Sequence, residues 1–292
     1  MNSHIKHVFW LTLATLFIST SGALGKFIAI PAPVLVWWRS ALAAICLLAF
    51  CFYKKISLKV SVKDQLPFVI SAVFMGAHWI TYFYALKLSN VAIGMLSLFT
   101  FPVITALLEP AFSKVKFDPT HILLGTLVLV GIYILAPEFN IENNDLKGLL
   151  LGLLSAVCYA LRTLILKQHV SKYNGTALMF YQVLILTLIL SPTLYYMDTS
   201  GIKTQFPYVI LLAVLTTAIG HTMFVNSLTY FKVSTASIIA SAQPIFGIII
   251  AYFFLKEIPN WNTFWGGLLI ISTVIIESFR SRKQLRSNNK KY

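Results

Sequence analysis

The sequence predicts an all-α integral membrane protein with ten transmembrane helices arranged as two inverted five-helix repeats. Three observations carry that expectation. Hydrophobic residues make up 58% of the chain and charged residues 11%, with a mean hydropathy of +0.80, whereas a soluble domain keeps about a quarter of its residues charged. Apolar runs near the ~20 residues that cross a hydrocarbon core follow one another through short connections, leaving the 292 residues no room for a domain outside the lipid. The second half of the chain also repeats the first at an offset of about 142 residues.

Runs bounded by charge, Pro or Gly place the spans at 8–29, 33–53, 66–86, 90–112, 120–136, 147–167, 175–197, 206–228, 233–255 and 261–279. The first follows a short basic start at Lys6 and imitates a secretory signal, but it continues to about Ile30 without a small-x-small cleavage site, so it reads as a retained span. Residues 137–146 are polar and acidic and lie at the midpoint, which makes them the linker between a first unit, 1–136, and a second, 147–279. A basic tail, 280–292, follows. Cys46, Cys51 and Cys158 fall within apolar runs with no CxxC or Cys/His spacing, so neither a disulfide framework nor a metal site is expected, and no cofactor motif is present.

The net charge of +14 would suggest nucleic acid in a soluble chain. Here the cations cluster in short loops without aromatic interleaving, and the excess of Lys and Arg in cytoplasmic loops explains them instead. Counting on alternate sides gives 16 cations on the side of both termini, including Lys54, Lys55, Lys59, Lys63 and Lys172, against four on the other: Lys87, Lys147, Lys203 and Lys256. Both termini are therefore expected in the cytoplasm, with the linker outside, in a bacterial-type inner (plasma) membrane. Lys26, Arg39 and Arg162 fall within spans. Lys26 ends a Ser-Gly-Ala-Leu-Gly-Lys run that lacks the GxxxxGK[ST] spacing of a phosphate loop.

The repeat aligns Leu35-Val36-Trp37-Trp38-Arg39 with Leu178-Met179-Phe180-Tyr181-Gln182, His78 with His221, Pro102 with Pro244, and Gly125 with Gly267. An odd number of helices per unit sends the second unit into the membrane upside down, an arrangement that in secondary transporters binds solute near the midplane between the repeats.

His78 and His221 sit near mid-depth, about twelve and fifteen residues into their spans at 1.5 Å per residue. An imidazole there is costly unless it faces the bundle interior, where it binds solute, relays a proton, or makes one interhelical hydrogen bond and nothing more. His78, Thr81 and Tyr82 share a helical face by their i, i+3, i+4 spacing. Trp79 and Tyr82 are candidate cavity lining, with plain packing the alternative, while Tyr84 reads as an interfacial aromatic. Pro102 and Pro244 each remove a backbone donor and free a carbonyl four residues earlier, marking either a hinge at a binding locus or a simple kink. Gln243 offers a neutral donor and acceptor beside Pro244.

Arg39 can hold a solute carboxylate, form a structural ion pair, or snorkel to the outer surface. Arg162 has the same choice at the inner side. Glu109, before Pro110, is the proton-coupling candidate, with a salt bridge to Lys114 or Lys116 as the bland alternative; Glu277 lies at the edge beside Arg280.

Trp38-Arg39-Ser40-Ala41, Pro102 and Pro244, Lys256-Glu257, and the closing Gly266-Gly267-Leu268-Leu269-Ile270-Ile271 together resemble the ten-helix EamA-type members of the drug/metabolite transporter superfamily. The likeness covers nearly the whole chain and departs at Ser113-Lys114-Val115-Lys116, where a second Lys-Glu pair is blurred. It implies a secondary transporter, often exporting amino acids or other metabolites, with a central cavity formed by both halves, but no particular substrate. The expectation of a small organic metabolite such as an amino acid or a related zwitterion or anion comes from Arg39, Arg162 and the two histidines, which suit a carboxylate. A multidrug or other metabolite carrier of the same fold is the alternative, followed by an intramembrane enzyme. No HExxH and no activated nucleophile appears. No nucleotide-binding motif appears either, so drive comes from an ion gradient or the solute's own gradient. The expected partners are a small-molecule solute and membrane lipid, not nucleic acid.

Overall fold

The computed structural model describes residues 3–112, 119–135, 142–231 and 233–288, and every regular element among them is helical. The first half supplies α1 (Ser3–Phe27), α2 (Ala32–Tyr53), α3 (Val62–Leu88), α4 (Val91–Leu98), α5 (Phe101–Phe112) and α6 (Thr120–Leu135). From the second half come α7 (Asn144–Lys167), α8 (Gly175–Leu190), α9 (Ile202–Ser227), α10 (Val233–Ala240), α11 (Gln243–Leu255) and α12 (Trp261–Asn288). Among the described residues six segments are long and apolar enough to cross a membrane, α4 and α5 counting together as Val91–Phe112, and shorter apolar helices run over Ile122–Leu135, Gly175–Leu190 and Gln243–Leu255.

Pro102 and Pro244 break their helices rather than merely bending them. A proline cannot donate to the carbonyl four residues earlier, and its ring clashes with that group. For Pro102 and Pro244 those carbonyls belong to Leu98 and Ala240, the residues at which α4 and α10 end. After α4, Thr100 N donates to Ser97 O at 3.3 Å, and Thr100 O accepts from Val103 N at 3.1 Å and Ile104 N at 3.2 Å, restarting the helix as α5. Each proline thus lies in the first turn of the next helix, where a missing donor costs nothing.

Several boundaries move from their expected places. Asn143 accepts from Asp145 N at 2.8 Å and starts α7 three residues before the predicted span, shortening the linker, of which 137–141 lie outside the described residues. α8 stops at Leu190 because Pro192 follows, and Thr193–Tyr196 adds only one turn. The predicted tail is helical as far as Asn288. Within α9, Leu212–His221 is wound as a π-helix, which no sequence pattern announced.

α3 packs along α7, α2 along α8, and α6 along α12; α1 lies on the π segment of α9 and on α11, while α4 and α5 lie on α7. α2 also meets α9, and α3 meets α8. Small residues permit the tightest approaches, as expected where lipid offers no hydrophobic drive for helix association. Gly148 and Gly152 form a GxxxG stripe on α7 against Ser89 and Ser97, and Gly131 of α6 faces Gly266 of α12 backbone to backbone.

Two lysines close helix ends. Lys26, at the end of α1, donates to Ser89 O just past α3. Lys167, at the end of α7, donates to Leu228 O at 2.7 Å and Phe231 O at 3.1 Å just past α9. Carbonyls at a helix C-terminus have no partner within the helix and carry partial negative charge, so an ammonium there satisfies both needs. This is the role of the lysine that resembled the end of a phosphate loop.

Candidate functional site

Residues from both halves close around one small interior space of about 20 Å³. α3 contributes His78, Trp79 and Tyr82, α7 contributes Tyr159, α9 contributes His221, and the start of α11 contributes Gln243. Phe99 and Phe101, on either side of the break between α4 and α5, complete the wall beside Ile18 and Ser21 of α1. Both helix breaks therefore reach this space. Pro102 and Pro244 are buried behind it, one residue from Phe101 and Gln243 respectively.

The histidines are held differently. His78 Nδ1 lies 2.6 Å from Ser155 Oγ, and Ser155 Oγ donates to His78 O at 3.0 Å, so ring and helix α7 are fixed together. Tyr159 packs on the same ring at 4.6 Å between centroids. His221 packs against Trp79 at 5.5 Å, and its Nδ1 has no hydrogen-bond partner among the described residues. The Tyr82 hydroxyl lies beside Ser21 on the same wall. Buried polar atoms are almost always paired, so the open His221 Nδ1 on this wall marks a place where another polar molecule fits.

The arginines do not snorkel. Arg39 is 1% exposed and Arg162 fully buried, each turned into the bundle. Arg39 stacks on Trp79 with Cζ 3.8 Å from the ring centroid, Nε donates to Thr217 Oγ1 at 2.5 Å, and an Nη to Thr216 Oγ1 at 3.0 Å. Both hydroxyls in turn donate to Leu212 O within the π segment, at 2.6 Å from Thr216 and 3.4 Å from Thr217. The consecutive threonines are thus used fully as acceptors for one guanidinium.

Arg162 donates through Nε and an Nη to Gln182 Oε1 at 3.3 and 2.8 Å, contacts Met179 Sδ at 3.6 Å, and lies 5.6 Å from the Tyr159 ring centroid. Gln182 passes the contact on, donating to Ser71 Oγ at 3.1 Å. Each guanidinium stands one aromatic ring behind the central space, Arg39 behind Trp79 and Arg162 behind Tyr159.

Other candidates fall outside the cluster. Thr81 turns its hydroxyl back to Ala77 O and His78 O at 2.7 and 3.2 Å, so the shared helical face did not bring it in. Tyr84 is exposed on the flank of α3 and does not line the space. Glu109 is half-buried on α5 and does not line the space, while Lys114 and Lys116 lie outside the described residues. Glu257 accepts from Val91 N at 2.8 Å, a carboxylate at the N-terminus of α4, where the helix dipole favours it. At the far end of the bundle, Asp64 pairs with Lys172 and accepts from the Tyr173 hydroxyl at 2.5 Å. The carboxylate, and Tyr173 after it, holds the Lys172 ammonium above its ordinary value.

Sequence reasoning did not find Ser155, Tyr159, Thr216 or Thr217, nor the Arg162–Gln182 pair. Tyr159 and Arg162 are i, i+3 on α7, a spacing that was available. The threonines gave no signal, because their function depends on the π turn.

The sequence pattern of the EamA-like transporter family matches residues 5–136 and, a second time, residues 146–279. An uncharacterized transporter of Bacillus subtilis, YwfM, is 24% identical over 74% of this chain and 74% of its own length. The pseudopaline exporter CntI of Pseudomonas aeruginosa is 23% identical over 93% of this chain and 95% of its own. An S-adenosylmethionine uptake transporter of Rickettsia prowazekii is 31% identical, but over only 41% of this chain and 42% of its own. One solved crystal structure superposes with a TM-score of 0.70 at 15% identity, covering 96% of this chain and 98% of the other, a likeness of fold.

Proposed function

The chain belongs to the EamA-like transporter family, a multi-pass membrane transporter of small molecules rather than an enzyme, and from that premise we propose that it exports a small organic metabolite bearing a carboxylate, such as an amino acid or related zwitterion or anion, through the space between its two halves. The observation that carries this reading is the shared wall. His78 and Trp79 of the first half and His221 and Gln243 of the second meet there, and His221 Nδ1 has no hydrogen-bond partner among the described residues. Arg39 supplies the charge that holds the carboxylate, while His78, His221 and Gln243 supply neutral hydrogen bonds. Pro102 and Pro244 are the hinges, because the breaks beside them end on the wall. Glu109 is retained as the proton-coupling group only on its charge and position.

Ten membrane crossings in two inverted repeats is the topology that goes with this reading. Exchanging first-half helices for their counterparts maps each major packing pair onto another: α1 on α9 becomes α7 on α3, α1 on α11 becomes α7 on α5, and α2 on α9 becomes α8 on α3. α2 with α8 and α6 with α12 map onto themselves. The lysine contacts follow the same exchange, Lys26 at the end of α3 becoming Lys167 at the end of α9. Such pairing supports a pseudo-twofold axis in the membrane plane.

Two measurements test the reading. Solutes accumulating in cells that lack or overproduce the chain should differ in a carboxylate-bearing metabolite, and everted vesicles should take that metabolite up only when the chain is present. An unchanged solute profile would remove the transport assignment for this class. For orientation, in a variant without Cys46, Cys51 and Cys158, an impermeant thiol reagent applied to intact cells should label Asn143→Cys and spare Ser61→Cys. Lys54, Lys55, Lys59 and Lys172 line one concavity beside Ser61, the cation-rich end assigned to the cytoplasm. Labelling at Ser61→Cys from outside would reverse the assignment.

A further inference from the structure

We propose that the transported solute is a dianion, with one anionic group taken by Arg39 and the second by Arg162, across the ring formed by Trp79, His78, Tyr159 and His221. The inference deepens the reading above and rests on it. Its ground is the way the two cations are held. Both guanidiniums are buried in the bundle, and among the described residues the contacts made to them are neutral: Thr216, Thr217, Trp79 and Phe83 for Arg39, and Gln182, Met179 and Tyr159 for Arg162.

A guanidinium withdrawn from water normally carries a carboxylate partner, because unpaired burial is costly. Among the described residues neither arginine has one. A polar group is kept unpaired in a core at a loss to folding, and two like charges on one solute path are explained together by a ligand that brings two opposite charges.

The geometry around the small central space fits such a ligand. Trp79 packs on both Arg39 and His221, and Tyr159 packs on His78 with Arg162 behind it. A solute that displaces the two rings therefore meets one cation on each side and imidazoles between them. Gln182 takes only one Nη of Arg162, and the rest of the guanidinium lies against Tyr159, so an incoming oxygen that replaces Tyr159 is bound without surrendering Gln182. Arg39, by contrast, exchanges its threonine contacts for a planar fork on a carboxylate, the geometry guanidinium favours. The space itself holds about one water, so the two bundles must part for the solute to enter.

The test uses the full-length protein in detergent, with succinate, glutarate and adipate as diacid probes, the monocarboxylates of matching chain length, and the corresponding diamides, binding being read from the shift of the thermal midpoint across a concentration series. At least one diacid should bind about tenfold or more tightly than its monocarboxylate, as a second charge-assisted contact requires, and diamides should not bind. On Arg162→Gln the diacid and its monocarboxylate should bind with the same affinity, so that the ratio between them collapses to about one, a loss of selectivity that a merely structural arginine does not produce. Arg162→Lys, which keeps the charge, serves if the glutamine variant does not fold, and should retain part of the preference. If neither variant folds, the comparison on the parent protein decides alone. Equal binding of diacid and monocarboxylate, no binding of any diacid, or a preference that survives Arg162→Gln overturns the proposal. Vesicle export separates its failure from that of the broader reading: chain-dependent export of monoanions only sinks the dianion and keeps the carrier, whereas no chain-dependent export of any solute sinks the carrier.

Discussion

Gly152→Ala should lower the stability of the folded bundle by about 1–3 kcal/mol, the usual cost of forcing extra volume into a packed contact, and Gly152→Leu should prevent accumulation in the membrane. A Cβ on Gly152 would come within 1.8 Å of Ser97 Oγ and 2.8 Å of Ser97 Cβ. The hydroxyl cannot simply rotate away, since it donates to Ile93 O at 2.7 Å and to Gly94 O at 3.2 Å, and the Cβ cannot move without α4. The two helices must therefore separate, next to the break that forms one wall of the site. A compensating change makes this specific. In Ser97→Gly/Gly152→Ala the nearest remaining atom is Gly94 O at 3.5 Å, an ordinary contact, so most of the loss should return, less the roughly 0.5–1 kcal/mol that a second glycine costs a helix. Thermal unfolding of the purified single and double variants measures both terms. A Gly152→Ala protein as stable as the parent would mean that α4 and α7 do not meet this closely in the membrane.

That contact also shows what a sequence reading can reach. Span positions came from the length of apolar runs, a signal set by the bilayer and indifferent to detail. The prolines at 102 and 244 were legible because proline acts locally: it forbids one bond to a known carbonyl, and α4 and α10 end at that carbonyl. His78 and His221 stood out because few titratable side chains fall in apolar runs. What was lost depended on three-dimensional proximity. Lys26 and Lys167 read as an interior cation and a helix-end cation, yet the carbonyls they satisfy lie more than sixty residues away in sequence. Thr216 and Thr217 are unremarkable hydroxyls until the π turn sets both against Arg39. Arg39 and Arg162 were visible as charges, but inward burial against neutral partners, rather than snorkelling, follows only from what surrounds them.

Arg39→Gln should leave accumulation in the membrane intact or raised and abolish export of an acidic solute. The two effects have opposite sign, and that is the diagnostic. Arg39 is buried with neutral partners only, so removing its charge relieves a desolvation cost that no carboxylate offsets, and replacing buried charge by a neutral side chain is commonly neutral or stabilising. Glutamine is already accepted at the aligned position, where Gln182 bridges Arg162 and Ser71, and at position 39 it can still donate to Thr216 or Thr217. Stability bought by deleting a residue, at the expense of activity, is the signature of a functional group rather than a scaffold one. Arg39→Lys keeps the charge but loses the planar fork and the stack on Trp79 at 3.8 Å, so export should fall by about ten- to a hundredfold, the equivalent of one charge-assisted hydrogen bond of 1.5–3 kcal/mol. A neutral solute, if the passage admits one, should be exported by Arg39→Gln at the parent rate, since it never used the charge. Export of the acidic solute by both variants at the parent rate, with normal accumulation, would make Arg39 a packing residue; reduced accumulation of Arg39→Gln together with normal export per molecule would make it a structural one.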